Sequence, residues 1–438
     1  MELVKPFLAQ GFTVYDVLSE EETKVIAEKA LERACNIYLQ GNRDLSLFLD
    51  KEKRLQVLRP GRCGNDPLAS RFGPTSLYHK NSGSLCSYFA PWQLQLQTNE
   101  TLLRNISTLY SAQGYETDQT KTLEERLAEP QFLGYIHGPG SYHLKIKGCT
   151  DGKRVLDRFL YMPPGTQHEH VNTVLYLSLD TKLKARDSGC LEVIPRFHLY
   201  WDILSILLQE QEPPPKKGEK LASFKLDTRF DALLPWLNER LEEYTIIYNG
   251  VQRDISVEDV EIREETIRAC DILSKRGPLP WCPRKFVPLE WEAVPCKPGQ
   301  AVSWDDRIPY RTTRCKSKIP CVGLDIPLFR IRKGYYLRAE HNFVRHSMGS
   351  ANIARGFEEA NDLELEYMKS QKAVDGLADY DKYIGSLGER EQRLFCIRPY
   401  PELLPTQPVQ SNPGVESNLS IESNPGVESN PGVESNQT

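Results

Sequence analysis

Three groups of residues in this chain have the types and spacings that chemistry uses. In His168-Glu169-His170 the two imidazoles are two apart. On a strand they would project to one face, where both can hold a metal ion, with Glu169 on the other face. The commoner reading, when no third ligand can be named, is a hydrogen-bonded and partly exposed pair; His198 is the candidate third donor. Trp304-Asp305-Asp306-Arg307 sets an aromatic beside a charged pair. The Trp is expected to pack a sheet, and Asp305 and Arg307 to orient a strand end. Arg314, Lys316 and Lys318 form a basic run, a pattern that is normally a solvated loop. His137 and His143 lie among Gly and Pro and read as surface residues. His341 and His346 sit beside Arg338, Asn342 and Arg345, where a binding role is open but unmarked.

The elements that must position these groups follow from periodicity. Phe12 to Val17 alternate as a strand, and Ser19 to Glu22 supply a capping box. Val25, Ile26, Ala30, Ala34 and Ile37 then recur at helical spacing. Residues 44–87, rich in Gly, Pro, Arg and Asn, predict a long surface loop. Pro91 to Ala112 predicts a helix with Asn99 and Glu100 near its middle turn. From Phe132 to Val193, the runs FLGYI, YHLKI, RFLYM, VLYLSL and CLEVI are β-rich and broken by Gly, Pro and Asp. Such spacing suits a barrel or jelly roll. After Trp201 the chain turns helical, breaks at 212–218, and stays mixed and charged to about Arg284. Residues of about 202–290 are therefore read as an insertion within one domain of 1–403. The hexapeptide Ser-Asn-Pro-Gly-Val-Glu stands at 411, 423 and 429, with a diverged copy at 417. Such a unit buries too little apolar surface to offset its ordering entropy, so 404–438 is expected to be a disordered tail.

Composition narrows the class. With 438 residues, 39% hydrophobic, 26% charged and a net charge of −5, the chain reads as globular rather than as a basic nucleic-acid binder. No apolar run is long enough for a bilayer, so neither nucleic acid nor membrane is an expected partner. The eleven cysteines are scattered with no C-x-x-C pair, which predicts mostly buried thiols rather than a disulfide framework or zinc ribbon. An intracellular location, cytoplasmic or nuclear and not secreted, is the expectation, and the sequons at Asn99, Asn105 and Asn418 are discounted with it.

Three separated segments in one order carry a family resemblance. They are Phe7 to Glu22, Asp187-Ser-Gly-Cys-Leu-Glu-Val-Ile-Pro-Arg-Phe-His198, and Lys297-Pro-Gly-Gln-Ala-Val-Ser-Trp-Asp-Asp-Arg-Ile-Pro-Tyr310. They resemble the phytanoyl-CoA dioxygenase-like family of Fe(II)/2-oxoglutarate oxygenases: its capped N-terminal helix, its "GCL-V-PGSH" strand and its late "GD-V-WD-R-PH" strand. Leu387 to Leu394 and Pro399-Tyr-Pro401 extend the likeness to about residue 403.

The resemblance implies an α+β fold, a double-stranded β-helix (jelly roll) core flanked by helices, with a helical insertion. It also implies a site for Fe(II) and 2-oxoglutarate, in which two His and one carboxylate hold the metal. The family's His-x-Asp falls on His170-Val-Asn172, its second His on Tyr310, and its 2-oxoglutarate Arg on Cys321. Asn, a phenol and a thiol thus stand where Asp, His and Arg would be needed. His168 is the stand-in for a metal ligand, and Arg314 and Lys318 are the stand-ins for the carboxylate anchor, although Lys binds only as a point charge. The expected function is an oxygenase-fold protein with degenerate iron and cosubstrate sites, bound to no cofactor. Its role would be to bind or regulate, with a small molecule or protein as partner. The alternative is an active Fe(II)/2-oxoglutarate dioxygenase that hydroxylates a small molecule or side chain, using His170 with other ligands.

Overall fold

The computed structural model describes residues 2–39, 84–85, 95–117, 135–137, 142–145, 170–211, 228–253, 261–326, 328–330 and 388–394. His168, His341, His346, the RFLYM run, the break at 212–218, most of the 44–87 segment and the repeat tail lie outside them.

A short helix, α1 (Val4–Gln10), opens the chain and ends at Gly11, whose φ of +83° is left-handed and whose N–H donates to the Phe7 carbonyl at 2.7 Å. Strand β1 (Phe12–Asp16) follows, then helix α2 (Glu20–Leu39). The capping box forms as read. The Ser19 N–H and hydroxyl both donate to Glu22 Oε2, at 2.9 and 2.8 Å, and the Glu22 N–H donates back to Ser19 Oγ at 3.3 Å.

The helix predicted over Pro91 to Ala112 divides. A helical turn at 95–97 stops, and α3 (Glu100–Thr117) starts afresh from Asn99. Asn99 Oδ1 accepts the Leu102 N–H at 3.0 Å. An Asn side chain satisfies an otherwise orphaned N–H at a helix start, which is why it begins a helix here instead of sitting in the middle of one.

Antiparallel pairing builds the core. Strands β2 (Ser84–Leu85), β4 (Tyr142–Lys145), β5 (Val171–Ser178), β8 (Gln300–Asp305) and β10 (Cys321–Asp325) join β1 in a six-stranded sheet of order β1-β8-β5-β10-β4-β2. A second sheet, β7-β6-β9, contains β6 (Leu191–Val193), β7 (Glu292–Ala293) and β9 (Tyr310–Thr312). A separate pair joins β3 (Tyr135–His137) to β11 (Leu328–Arg330).

Because side chains alternate along a strand, β5 feeds two cores. Val171, Leu175 and Leu177 pack with Leu102, Leu103, Ile106, Leu109 and Tyr110 of α3. Val174 and Tyr176 face Leu191 and Val193 of β6, with Val302 and Trp304 of β8. One face of the large sheet is thus roofed by helices and the other by the small sheet, so β5 is apolar on both faces, VNTVLYLS.

Among the described residues, the chain between β6 and β7 is largely helical. A short helix α4 (Ala185–Ser188) precedes β6, and a 3-10 turn at Phe197–Tyr200 leads into α5 (Trp201–Gln211), α6 (Thr228–Arg253) and α7 (Glu264–Ser274). Leu204, Leu207, Leu237, Leu241, Tyr244 and Leu273 give this block its own core. Last among the described helices, α8 (Glu389–Leu394) contributes Leu394 to the core under α3. The fold therefore mixes helices with antiparallel sheet, and among the described residues no helix is long and apolar enough to cross a membrane.

Replacing Ser19 by Ala removes the capping hydroxyl and should lower stability by about 1 kcal/mol, read from urea denaturation, while Glu21→Ala on the same exposed turn should change it by only a few tenths.

Candidate functional site

The end of β8 is held by a dense set of hydrogen bonds. Asp305 is 1% exposed, yet its carboxylate is fully supplied with donors. Arg307 donates from Nε to Oδ1 at 2.9 Å, from Nη2 to Oδ2 at 2.7 Å, and from its backbone N–H to Oδ1 at 2.9 Å. Gln113 Nε2 of α3 adds a bond to Oδ2 at 2.8 Å and also reaches the His170 carbonyl at 3.3 Å. The Asp305 N–H donates to the Gly11 carbonyl at 2.8 Å. Burial alone would push this carboxyl up. The Arg307 charge, its hydrogen bonds and the nearby His198 outweigh burial and hold Asp305 well below the usual carboxylate range. Gly11 is enforced here, since a Cβ would stand 1.9 Å from Ile308 Cδ1 and 2.6 Å from His198 Nδ1. His198 is buried and bonds the Leu8 carbonyl through Nε2 at 3.1 Å, so it buttresses the α1–β1 turn.

His170 stands just before β5. Its Nδ1 lies 3.1 Å from Tyr110 Oη, and that hydroxyl donates to the Leu328 carbonyl at 2.7 Å. The phenolic proton is directed to the Leu328 carbonyl, so His170 Nδ1 is placed to donate to the Tyr110 oxygen. Asn172 lies opposite Trp304 in the β5–β8 register and donates from Nδ2 to Asp306 Oδ1 at 2.7 Å. Tyr310 opens β9, its ring 5.0 Å from the Trp304 ring. His170, Asn172 and Tyr310 are thus gathered around the Trp304–Asp306 end of β8.

Cys321 is not with them. It starts β10, where the neighbouring Val322 pairs with Ser178, at the other end of β5 from Asn172. From residue 172 to residue 178 the strand advances about 20 Å, and a five-carbon dicarboxylate spans only a fraction of that. The Cys321 thiol is buried and donates to the Gly189 carbonyl at 3.5 Å. Arg314 and Lys318 are exposed on the same distant loop, and Lys316 pairs there with Asp187 at 2.7 Å.

The donors at these positions do not fit an Fe(II) centre with 2-oxoglutarate. One imidazole, one neutral amide and one phenol supply no carboxylate, and the amide N–H₂ of Asn172 is already turned to Asp306. Among the described residues, no group of three or more His, Cys, Asp or Glu side chains is arranged to hold a metal ion.

Sequence reasoning took Asp305 and Arg307 as scaffold, and they serve as that. It missed Gln113, Tyr110 and Asp306, which hold the same corner from other elements. The doubled carboxylate of Trp304-Asp305-Asp306 was the available signal: one of two adjacent strand residues must face inward, and there it needs a partner.

No family model and no curated protein matches the chain. Solved structures that it resembles include AviO1 from Streptomyces viridochromogenes Tue57, at 12% identity over 74% of this chain and 93% of that one, with a TM-score of 0.29. A non-heme alpha ketoglutarate dependent carbocyclase, SnoK from nogalamycin biosynthesis, is 13% identical over 77% of this chain and 90% of its own, with a TM-score of 0.30. EctD from S. alaskensis in its apoform is 11% identical over 77% and 80%, at 0.28. These likenesses are distant, and what this chain does must be argued from its own residues.

Truncating Arg307 to Ala leaves the Asp305 carboxylate buried without its cation and should destabilise by about 3–5 kcal/mol in chemical denaturation. Asp305→Asn should change the acid limb. The native pKa lies below the unfolded value of about 3.9, so the stability held by Asp305 is complete above that pH and is lost as pH falls toward the native pKa. The difference in unfolding free energy between wild type and Asp305→Asn should therefore be flat above about pH 5 and shrink below about pH 4.

Proposed function

We propose that this chain is a double-stranded β-helix protein of the oxygenase type whose metal and cosubstrate positions have been given over to protein contacts. On this reading it binds a small molecule or a protein and does not oxidise one. Strand succession supports the fold. In chain order β4 and β5 lie in the large sheet, β6 and β7 in the small one, then β8 large, β9 small and β10 large. A chain that winds back and forth between two facing antiparallel sheets is the path of a jelly roll.

The observation that carries the functional reading is the commitment of the key side chains. Asn172 bonds Asp306, Tyr310 packs on Trp304, and Cys321 is buried at the far end of β5. The exposed Arg314 and Lys318 lie at that far end as well, so they are remote from any metal held near Asn172. The helical block between β6 and β7 and the repeat tail are the segments to which a partner contact is assigned.

One observation favours the opposite reading, an active dioxygenase using His170. The Tyr110 hydroxyl holds the His170 ring through Nδ1, and metal-binding imidazoles are held by the same kind of second bond. Anaerobic titration of the purified protein with Fe(II) and 2-oxoglutarate separates the two. We expect no visible charge-transfer absorption and no succinate on admitting oxygen; an absorption band together with succinate would establish the enzyme and end the binding reading.

A further inference from the structure

One stretch of the helical block carries charge that its surroundings do not answer. Around the end of α7 the chain runs from Ile272 to Leu289 without an Asp or Glu, and Lys275, Arg276, Arg284 and Lys285 are all exposed there. Asp271 and Glu290 flank the stretch, yet no hydrogen bond or ion pair joins any of the four cationic side chains to a described residue. Between the two cationic pairs stands Trp281, 62% exposed, whereas Trp201 and Trp304 are buried and Trp236 and Trp291 partly so. The backbone beneath it is fixed. Tyr244 Oη of α6 donates to the Pro280 carbonyl at 2.7 Å, Asn249 Nδ2 donates to the Arg284 carbonyl at 3.0 Å, and Cys282 and Leu289 are buried in the core of the block. An indole held out into water on a firm support, with unpaired cations on either side in the chain, has the make-up of a recognition surface.

The complementary charge lies in the chain itself. Residues 399–438 hold five of the 60 acidic residues, Glu402, Glu416, Glu422, Glu428 and Glu434, and none of the 55 basic ones, so the whole net charge of −5 resides there. The hexapeptide units match the surface in pattern too. Where the copy at 417 diverges it loses Pro-Gly, yet every copy keeps a β-branched apolar residue before Glu: Val415-Glu416, Ile421-Glu422, Val427-Glu428 and Val433-Glu434. One apolar side chain and one carboxylate per unit are what an indole beside cations would take. The reach suffices as well. Leu394 is buried under α3, and from there to Glu416 the chain can extend about 70 Å, against a width of about 55 Å for a folded chain of this size.

We propose that the surface of Lys275, Arg276, Trp281, Arg284 and Lys285 docks the acidic repeat tail of the same chain, with a Val or Ile against the indole and the adjoining Glu on the cations. A single exposed ion pair is weak, but four equivalent units tethered to the same domain raise the effective concentration of the contact. The partner contact assigned above to the block and to the tail thus becomes a contact between the two. It rests on that assignment and not on the state of the iron site, which the experiment leaves untouched.

The test is zero-length coupling of carboxylates to amines by a carbodiimide in the full chain at low salt, using an equal mixture of isotopically light and heavy protein. Linked peptides are read by mass spectrometry. The expected links join Glu416, Glu422, Glu428 or Glu434 to Lys275 or Lys285 within one isotopic form, and they exceed links to the exposed Lys29, Lys184 and Lys318. They should fall about fivefold in ~1 M sodium chloride, where charges act over only about 3 Å. Trp281→Ala should lower them about threefold, and so should the combined Val415→Ala, Ile421→Ala, Val427→Ala and Val433→Ala. Links spread evenly over the exposed lysines, or absent from Lys275 and Lys285, would overturn the proposal. Links between light and heavy chains would assign the surface to a second copy, and flotation on phosphatidylserine vesicles that Trp281→Ala abolishes would assign it to lipid; either result overturns docking of the chain's own tail. The wild-type arm decides without the variants.

Discussion

A buried carboxylate governs this fold. Asp305 sits at the end of the strand that pairs with both β1 and β5, and its bonds run to three separate parts of the chain. Arg307 supplies the charge, Gln113 ties in α3, the Gly11 carbonyl ties in the α1–β1 turn, and Gln113 extends the contact to the backbone before β5. A buried charge is tolerable only when paired and hydrogen-bonded, so none of these partners is optional. The corner must close as a unit. That requirement fixes where α1 turns, why residue 11 has no side chain, and which way the β8 end points.

From that corner the sheet is secured along its length by a different device. On the helix-covered face, Ser303 Oγ lies 2.7 Å from Thr173 Oγ1 and 2.9 Å from Tyr15 Oη, so three adjacent strands share one line of hydroxyls. Each hydroxyl finds its partner across a strand instead of in water, which lets polar side chains occupy a packed face without an unsatisfied group. The helical block uses the same logic. Glu243 accepts Arg240 Nη1 at 2.9 Å, together with the Thr266 hydroxyl and the Arg263 N–H at the start of α7. A carboxylate at a helix N-terminus is favoured by the helix dipole as well as by the orphan N–H groups. Both regions place a charge at the junction of elements and leave the remaining contacts to apolar packing.

The sequence shows local features more plainly than convergent ones. The Ser19–Glu22 box, the apolar run of β5 and the scaffold role of Asp305 and Arg307 are written in adjacent residues, and each forms as read. The helix start at Asn99 was misjudged because periodicity runs through a cap without registering it. Helix α1 went unread because its apolar residues Val4, Phe7 and Leu8 span too few turns to show a period. Arg196 is subtler. It stands where the resembled "PGSH" segment has Gly, and it keeps the left-handed φ of 65° that such a Gly would adopt. Its strain is offset by bonds to Gln10, the backbone N–H to the carbonyl at 2.9 Å and Nη1 to Oε1 at 3.3 Å. Least visible was the separation of Asn172 from Cys321, because strand register depends on pairing between segments far apart in the chain.

The residues at 172, 310 and 321 also make sense together. With Asn at 172, the neighbouring Asp306 receives an amide N–H and only one carboxylate occupies that corner. An Asp at 172 would set two carboxylates side by side, a pairing that a cation or a shared proton would have to relieve. An imidazole in place of the Tyr310 ring would give up part of the aromatic stack on Trp304. At the far end of β5, Cys321 is 3% exposed and its Cβ is close against Gly189. An arginine there would bury a guanidinium among Tyr176, Leu179 and Cys190. An amide and a phenol therefore suit the Trp304 end of β5, and a buried thiol its other end, through contacts made within the protein itself.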